Sequence, residues 1–216
     1  MKLIYVLCVS AFLSTIAMAQ SIVLPASLSV PAANPAGASF TYNGTLTDAA
    51  TLSLTQVGTP CLVGGNTYCT NGAGVIVTPA ANRAVGGTYT FAGTIGGTTG
   101  NWTWGALLMS ISGVGTVQVF PSSAANGAGS GAPPNSLSLA AQPLSALGFG
   151  AFTVSNPTIT FYVADNYYTD NSYGFTLTQQ SAAMAPVPST LWLAIAGIGV
   201  LALWPLVRHL AGPAHS

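Results

Sequence analysis

Between Gln20 and Ala185 no stretch places apolar residues at i, i+3, i+4 and i+7 over three turns, so the body of this chain has no amphipathic helix to build with. Short alternating or β-branched runs recur instead: Ala38–Leu46, Thr51–Val57, Gly74–Thr78, Thr88–Thr94, Trp102–Ser112, Gly115–Phe120, Gly150–Ser155, Thr158–Ala164 and Tyr173–Gln179. The connections between them are rich in Gly, Asn and Pro. Many short strands with such punctuation predict an all-β fold, an antiparallel β-sandwich. Residues 20–184, about 165 of them, suffice for one domain with a real core. Residues 122–136 have no apolar period and no bulky side chain, which predicts a flexible loop inside that domain or a divider between two subdomains.

Charge narrows the function. Only 3% of the 216 residues are Asp, Glu, Lys or Arg, against 50% hydrophobic, where soluble domains carry about a quarter. Nucleic acid is excluded as a partner, because a phosphate-binding surface needs several cations and the chain has only Lys2, Arg83 and Arg208. Residues 20–184 contain no His, Lys or Glu, so a nucleophile would have no base beside it and the chain does not read as an enzyme. Disorder is not expected either, since low hydrophobicity and high net charge are what keep chains unfolded.

The two ends read as addresses. Met1 and Lys2 precede an apolar run from Leu3 to Ile16, and Ala17-Met18-Ala19 supplies the small residues that a signal peptidase reads. Residues 1–19 are therefore expected to be a secretory signal helix, cut between Ala19 and Gln20. At the other end Leu191–Val207 is an uncharged apolar stretch near the lower limit of about 17 residues for crossing a bilayer. Arg208 follows it, and Trp192 and Trp204 stand near its ends, the pattern of a transmembrane helix with its C-terminus in the cytoplasm. A buried helix of the domain is the alternative reading. Ahead of this helix, Pro186-Val187-Pro188 resembles the C-terminal sorting signals of bacterial exosortase substrates of the Pro-Glu-Pro type, with Val187 in place of the usual Glu and one Arg in place of a basic cluster. The resemblance implies that residues 185–216 are a sorting or anchor tail and that an exosortase-like processing enzyme and the membrane are partners. It places the protein at the cell surface or in the extracellular matrix of a Gram-negative bacterium.

Two cysteines remain after export, Cys61 and Cys69, separated by a segment containing Gly64-Gly65. An even count in an exported chain favours a disulfide.

Of the four charges in the body, Asp48, Arg83, Asp165 and Asp170, two fall in the segment Val163–Gly174, which reads as a hairpin. Asn166 and Asn171 lie beside them, and the backbone at Tyr168 and Thr169 adds carbonyl oxygens. Hard oxygen ligands without nitrogen or sulfur are what Ca²⁺ takes. The same residues also describe an Asx-rich turn that bonds its own backbone. Tyr162, Tyr167, Tyr168 and Tyr173 cluster around this loop as a stacking wall for a sugar ring, or as ordinary strand residues.

The strand Gly105-Ala106-Leu107-Leu108-Met109-Ser110-Ile111-Ser112-Gly113, followed later by Asp165 and then Asp170-Asn171-Ser172-Tyr173-Gly174-Phe175, resembles the calcium-dependent galactose-binding bacterial lectins. The resemblance implies a small β-sandwich in which the late loop holds Ca²⁺ and the sugar coordinates the ion. By position it assigns the ligands to the side chains of Asp165, Asp170 and Asn171 and to a carbonyl of Tyr167 or Tyr168, with a further carbonyl near Ile95–Gly100. Tyr167, Tyr168 and Asn171 become the carbohydrate-contacting residues. The family's His-Pro-x-Gln sugar-contacting segment has no counterpart here. The expectation is an exported, non-catalytic protein that binds calcium and carbohydrate or extracellular polysaccharide, with a purely structural envelope or coat protein as the alternative.

Overall fold

The structure is a computed structural model, and it describes residues 20–63, 67–78, 84–121 and 135–180. The expected signal helix, the 191–207 helix, the Pro186-Val187-Pro188 motif and residues 122–134 of the expected loop lie outside the described residues. Asn135 and Ser136, the last two residues of that loop, are described, and Ser136 opens a strand.

Two antiparallel four-stranded sheets dominate. The first contains β1 (Leu28–Pro31), β4 (Thr51–Val57), β12 (Ser136–Pro143) and β15 (Gly174–Gln179), in the order β1-β15-β4-β12. The second contains β2 (Ala38–Thr41), β10 (Leu107–Ile111), β11 (Gly115–Gln118) and β14 (Thr158–Val163), in the order β11-β10-β14-β2. Alternation along each strand decides what each sheet buries, since successive side chains point to opposite faces. Val30, Leu52, Leu54, Leu137, Leu139, Phe175 and Leu177 of the first sheet share one buried core with Leu107, Met109, Ile111, Ile159, Phe161 and Val163 of the second. That common core is the arrangement of an all-β sandwich. Thr176 and Ser138 face solvent on the first sheet, so its outer surface is neutral and hydroxylic rather than ionic.

Strand β10 is buried on both faces, which explains its near-continuous apolar reading. Its outward residue Leu108 packs with Ile95, Trp102, Ala106 and Ala164 in a second, smaller cluster. The cover is a hairpin of β8 (Thr90–Ile95) and β9 (Thr98–Thr103). Gly96 and Gly97 form its two-residue turn with φ of 55° and 77°, the positive pair that a tight hairpin twisting with its strands requires. The hairpin tip is fastened to the second sheet by Ser110 Oγ, which donates to Gly96 O (3.3 Å), and by Thr116 Oγ1, which donates to Ile95 O (3.1 Å).

Smaller sheets complete the domain: β3 (Thr45–Thr47) with β13 (Thr153–Ser155), and β5 (Cys61–Val63) with β6 (Thr67–Thr70) and β7 (Ile76–Thr78). Buried Gln56 ties the β5-β6-β7 region to β4: its amide donates to Gly58 O (2.7 Å) and Asn135 O (3.3 Å), and its Oε1 accepts from Gly72 N–H (3.1 Å). Gln56 is thus a satisfied hub, as buried amides have to be. Strand β12 is an edge strand whose register with β4 shifts between Leu139 and Gln142. It ends at Pro143, and the opposite edge strand β1 ends at Pro31.

Candidate functional site

The segment carrying Asp165 and Asp170 is not a hairpin. Strands β14 and β15, which flank it, belong to different sheets and do not pair. The residues between Val163 and Gly174 carry the chain across from the second sheet to the first, and a crossing at the rim of the core draws polar side chains inward that a hairpin tip would leave in water. Asp165 is only 7% exposed and Asn171 only 9%.

The bend is built around the Asp165 carboxylate. Its Oδ1 accepts from the backbone N–H groups of Asn166 (2.6 Å) and Tyr167 (3.1 Å), the bonding of an Asx turn. Its Oδ2 accepts from Asn171 Nδ2 (2.6 Å), which closes the loop side chain to side chain. The same amide nitrogen donates to Ala32 O (3.2 Å), just past the end of β1. Asn171 Oδ1 is buried with no hydrogen-bond partner among the described residues. Between these anchors Tyr168–Asp170 makes one short 3-10 turn, with Asn171 N–H donating to Tyr168 O (3.4 Å).

Of the expected ligands the structure therefore brings Asp165 and Asn171 into contact. Asp170 is half-buried, and its carboxylate makes no hydrogen bond among the described residues. The Tyr168 carbonyl turns back into the bend to meet Asn171 N–H. Of the carbonyls in the stretch Ile95–Gly100 expected to supply a further ligand, two are engaged elsewhere. Ile95 O and Gly96 O are held by Thr116 and Ser110. Ser110 lies three residues along β10 from Leu107, which faces Val163 at the Asp165 end, a separation of about 10 Å. The carbonyl that does converge on the bend is Ala32 O. Nothing in the side-chain chemistry of an alanine marks it, so sequence reasoning had no signal by which to find it.

The tyrosines divide. Tyr167 is 63% exposed and Tyr173 79%. Tyr168 is half-buried, and its hydroxyl donates to Val163 O (3.3 Å), so its polar end is turned onto the protein and not toward a ligand. Burial pushes its phenol up to about 12; the backbone of Asp165 pulls it back, while the Asp165 carboxylate and Tyr162 add to the rise.

Comparison with protein-family models, with curated proteins and with solved structures found no match. Among the described residues no group of three or more His, Cys, Asp or Glu side chains is placed to hold a metal ion. An oxygen-only site of carboxylate, amide and carbonyl does not need such a group.

Do the residues at the bend fit a divalent cation? Asn171 Nδ2 stands between two oxygens, Asp165 Oδ2 and Ala32 O. A half-turn of the amide about χ2 exchanges Nδ2 for the unpartnered Oδ1, so that three oxygens face one another. That grouping is repulsive alone and favourable around a cation. The fit extends to these three groups, with Asp170 able to reach them only through rotation of its own side chain.

Proposed function

We propose that this chain is an exported, non-catalytic protein of the cell surface or extracellular matrix, whose β-sandwich carries a calcium-dependent carbohydrate-binding bend. The carrying observation is the convergence of Asp165 Oδ2 and Ala32 O on an Asn171 amide whose own oxygen is buried and has no partner among the described residues. Asp165, Asn171 and Ala32 O would hold the ion, joined by Asp170, and the ion would supply a charge to which vicinal sugar hydroxyls bind. Tyr167, exposed beside this group, offers a face to the ring. Export rests on the N-terminal sequence, and retention on the Pro186-Val187-Pro188 tail, its apolar stretch and an exosortase-like enzyme that reads them. Support for a non-catalytic role is compositional: residues 20–184 hold no His, Lys or Glu.

The second reading, a purely structural envelope or matrix protein, is favoured by a specific observation too. Both Asp165 oxygens already have N–H donors, so the carboxylate is satisfied without an ion. Thermal unfolding of the full chain in Ca²⁺ and in chelator separates the two. An ion at 100 times its Kd stabilises the native state by about 2.7 kcal/mol, a rise in Tm of about 5 to 10 °C for a domain of this size. Loss of that rise in the Asp165→Ala, Asp170→Ala double variant locates it. Equal melting in both buffers retires the ion and leaves the structural reading. A glycan array run with and without Ca²⁺ then tests the sugar, and the intact mass of protein recovered from cells tests export and removal of the tail.

A further inference from the structure

The disulfide sits where it touches the crossing. Cys61 and Cys69 stand opposite each other in the β5-β6 register and are joined through their sulfurs. The backbone of Cys61 faces the other way: its N–H donates to Ser172 O (3.0 Å), and Ser172 N–H donates to Cys61 O (3.0 Å). Ser172 adjoins Asn171, the side chain that closes the bend. On the far side Ala32 N–H donates to Tyr173 O (2.9 Å) and Ala32 O accepts from Asn171. Residues 171–173 are thus strung between Cys61 and Ala32. Tyr173 is held there at φ 62°, a left-handed conformation that costs a non-glycine residue energy and persists only when its surroundings impose it.

Strand β5 is only three residues long, too short to hold a neighbour firmly by its own pairing with β6. The disulfide adds a covalent tie to that pairing. We infer that the Cys61–Cys69 disulfide is a positioning brace for the crossing, so that the state of this bond sets the order of the bend from Asp165 to Tyr173. This inference does not depend on any ligand. Reduction by a dithiol breaks the S–S bond and transfers two electrons and two protons from the dithiol, leaving two protein thiols and an oxidised, cyclic disulfide. Both cysteines are buried, so that reaction requires a local opening that exposes the sulfurs.

Hydrogen exchange of the full chain, read residue by residue, tests the brace. In the Cys61→Ser, Cys69→Ser variant the amides of Cys61, Asn171 and Ser172 are expected to exchange at least tenfold faster than in the parent. The amides of Met109 and Phe161, in the β10-β14 pair, are expected to keep their rates. A uniform acceleration across both groups would make the disulfide a global staple and overturn the inference. Acceleration confined to residues 61–70, with Asn171 and Ser172 unchanged, overturns it as well. If the serine pair does not fold, the same amides followed in the parent chain after treatment with dithiothreitol give the decision by the same criteria.

Discussion

Two bends in this molecule solve the same local problem with different side chains. At Asn71, fully buried, the neutral amide oxygen accepts from the N–H groups of Ala73 (3.1 Å) and Val75 (3.2 Å). At Asp165 a carboxylate oxygen accepts from the N–H groups of Asn166 and Tyr167. Where two buried donors need an acceptor, an asparagine suffices, and a chain with only three acidic residues spends none of them at residue 71. The carboxylate at 165 differs in its second oxygen, which takes a further donor from Asn171 across the crossing. The difference teaches that charge is used here for reach: one group both shapes its own turn and joins two segments of the crossing.

Five substitutions break or sharpen that contrast. Asn71→Ala has the largest expected effect, about 2 to 4 kcal/mol of stability by urea unfolding, because it strands two donors in the interior. Asp165→Ala should cost about 2 kcal/mol, less than Asn71→Ala because the two backbone donors are partly buried, so that water replaces some of what is lost, and Asn171 Nδ2 keeps Ala32 O as an acceptor. Asp165→Asn keeps one acceptor oxygen but sets two amides against each other at residue 171, and about 1 kcal/mol is expected. Should it cost as much as the alanine, the charge itself is what the bend needs.

Tyr168→Phe sharpens the comparison through pH. The native phenol is held up at about 12, above its value of about 10 in an unfolded chain, so the unfolded state releases its proton first as pH rises. The stability linked to the protonated phenol is complete below about pH 10 and is lost as pH climbs toward 12. Unfolding midpoints should therefore fall more steeply over that window in the parent than in the Phe variant, and parallel curves would contradict the burial of Tyr168. Asp170→Ala is the smallest: a carboxylate without a hydrogen bond among the described residues should change stability in chelator by no more than about 0.5 kcal/mol. Any larger loss that appears only with Ca²⁺ assigns Asp170 to the ion.

The strands most readable from sequence were those with strict alternation. Thr51–Val57 is β4 as expected, and Thr158–Val163 and Gly174–Gln179 differ from the expected runs by one terminal residue. Two expected runs are each divided between sheets. Ala38–Leu46 breaks after Thr41, so β2 and β3 enter different sheets, and Trp102–Ser112 breaks at Gly105 into the end of β9 and all of β10. Both contain apolar residues on either side of a glycine, and periodicity alone does not register a change of partner there. Strand β12 went unread because its register shift interrupts the alternation after Leu137 and Leu139. Strands β5 and β6 were hidden behind the cysteines, whose spacing reads as a loop although their residues pair in register. At the candidate site the acids and amides were visible, but their partners were not. Ala32 O and the backbone of Ser172 and Cys61 carry no sequence signal, and only the crossing between sheets brings them to Asp165.

The shift in β12 and the prolines that close both outer strands of the first sheet have a consequence for how copies of this protein coexist at high concentration. Proteins commonly guard exposed strand edges with lysine, a defence that dissolved salt weakens. Here the guard is made of backbone shape, so brine and changes of acidity leave it in place, which suits a molecule proposed to work outside the cell.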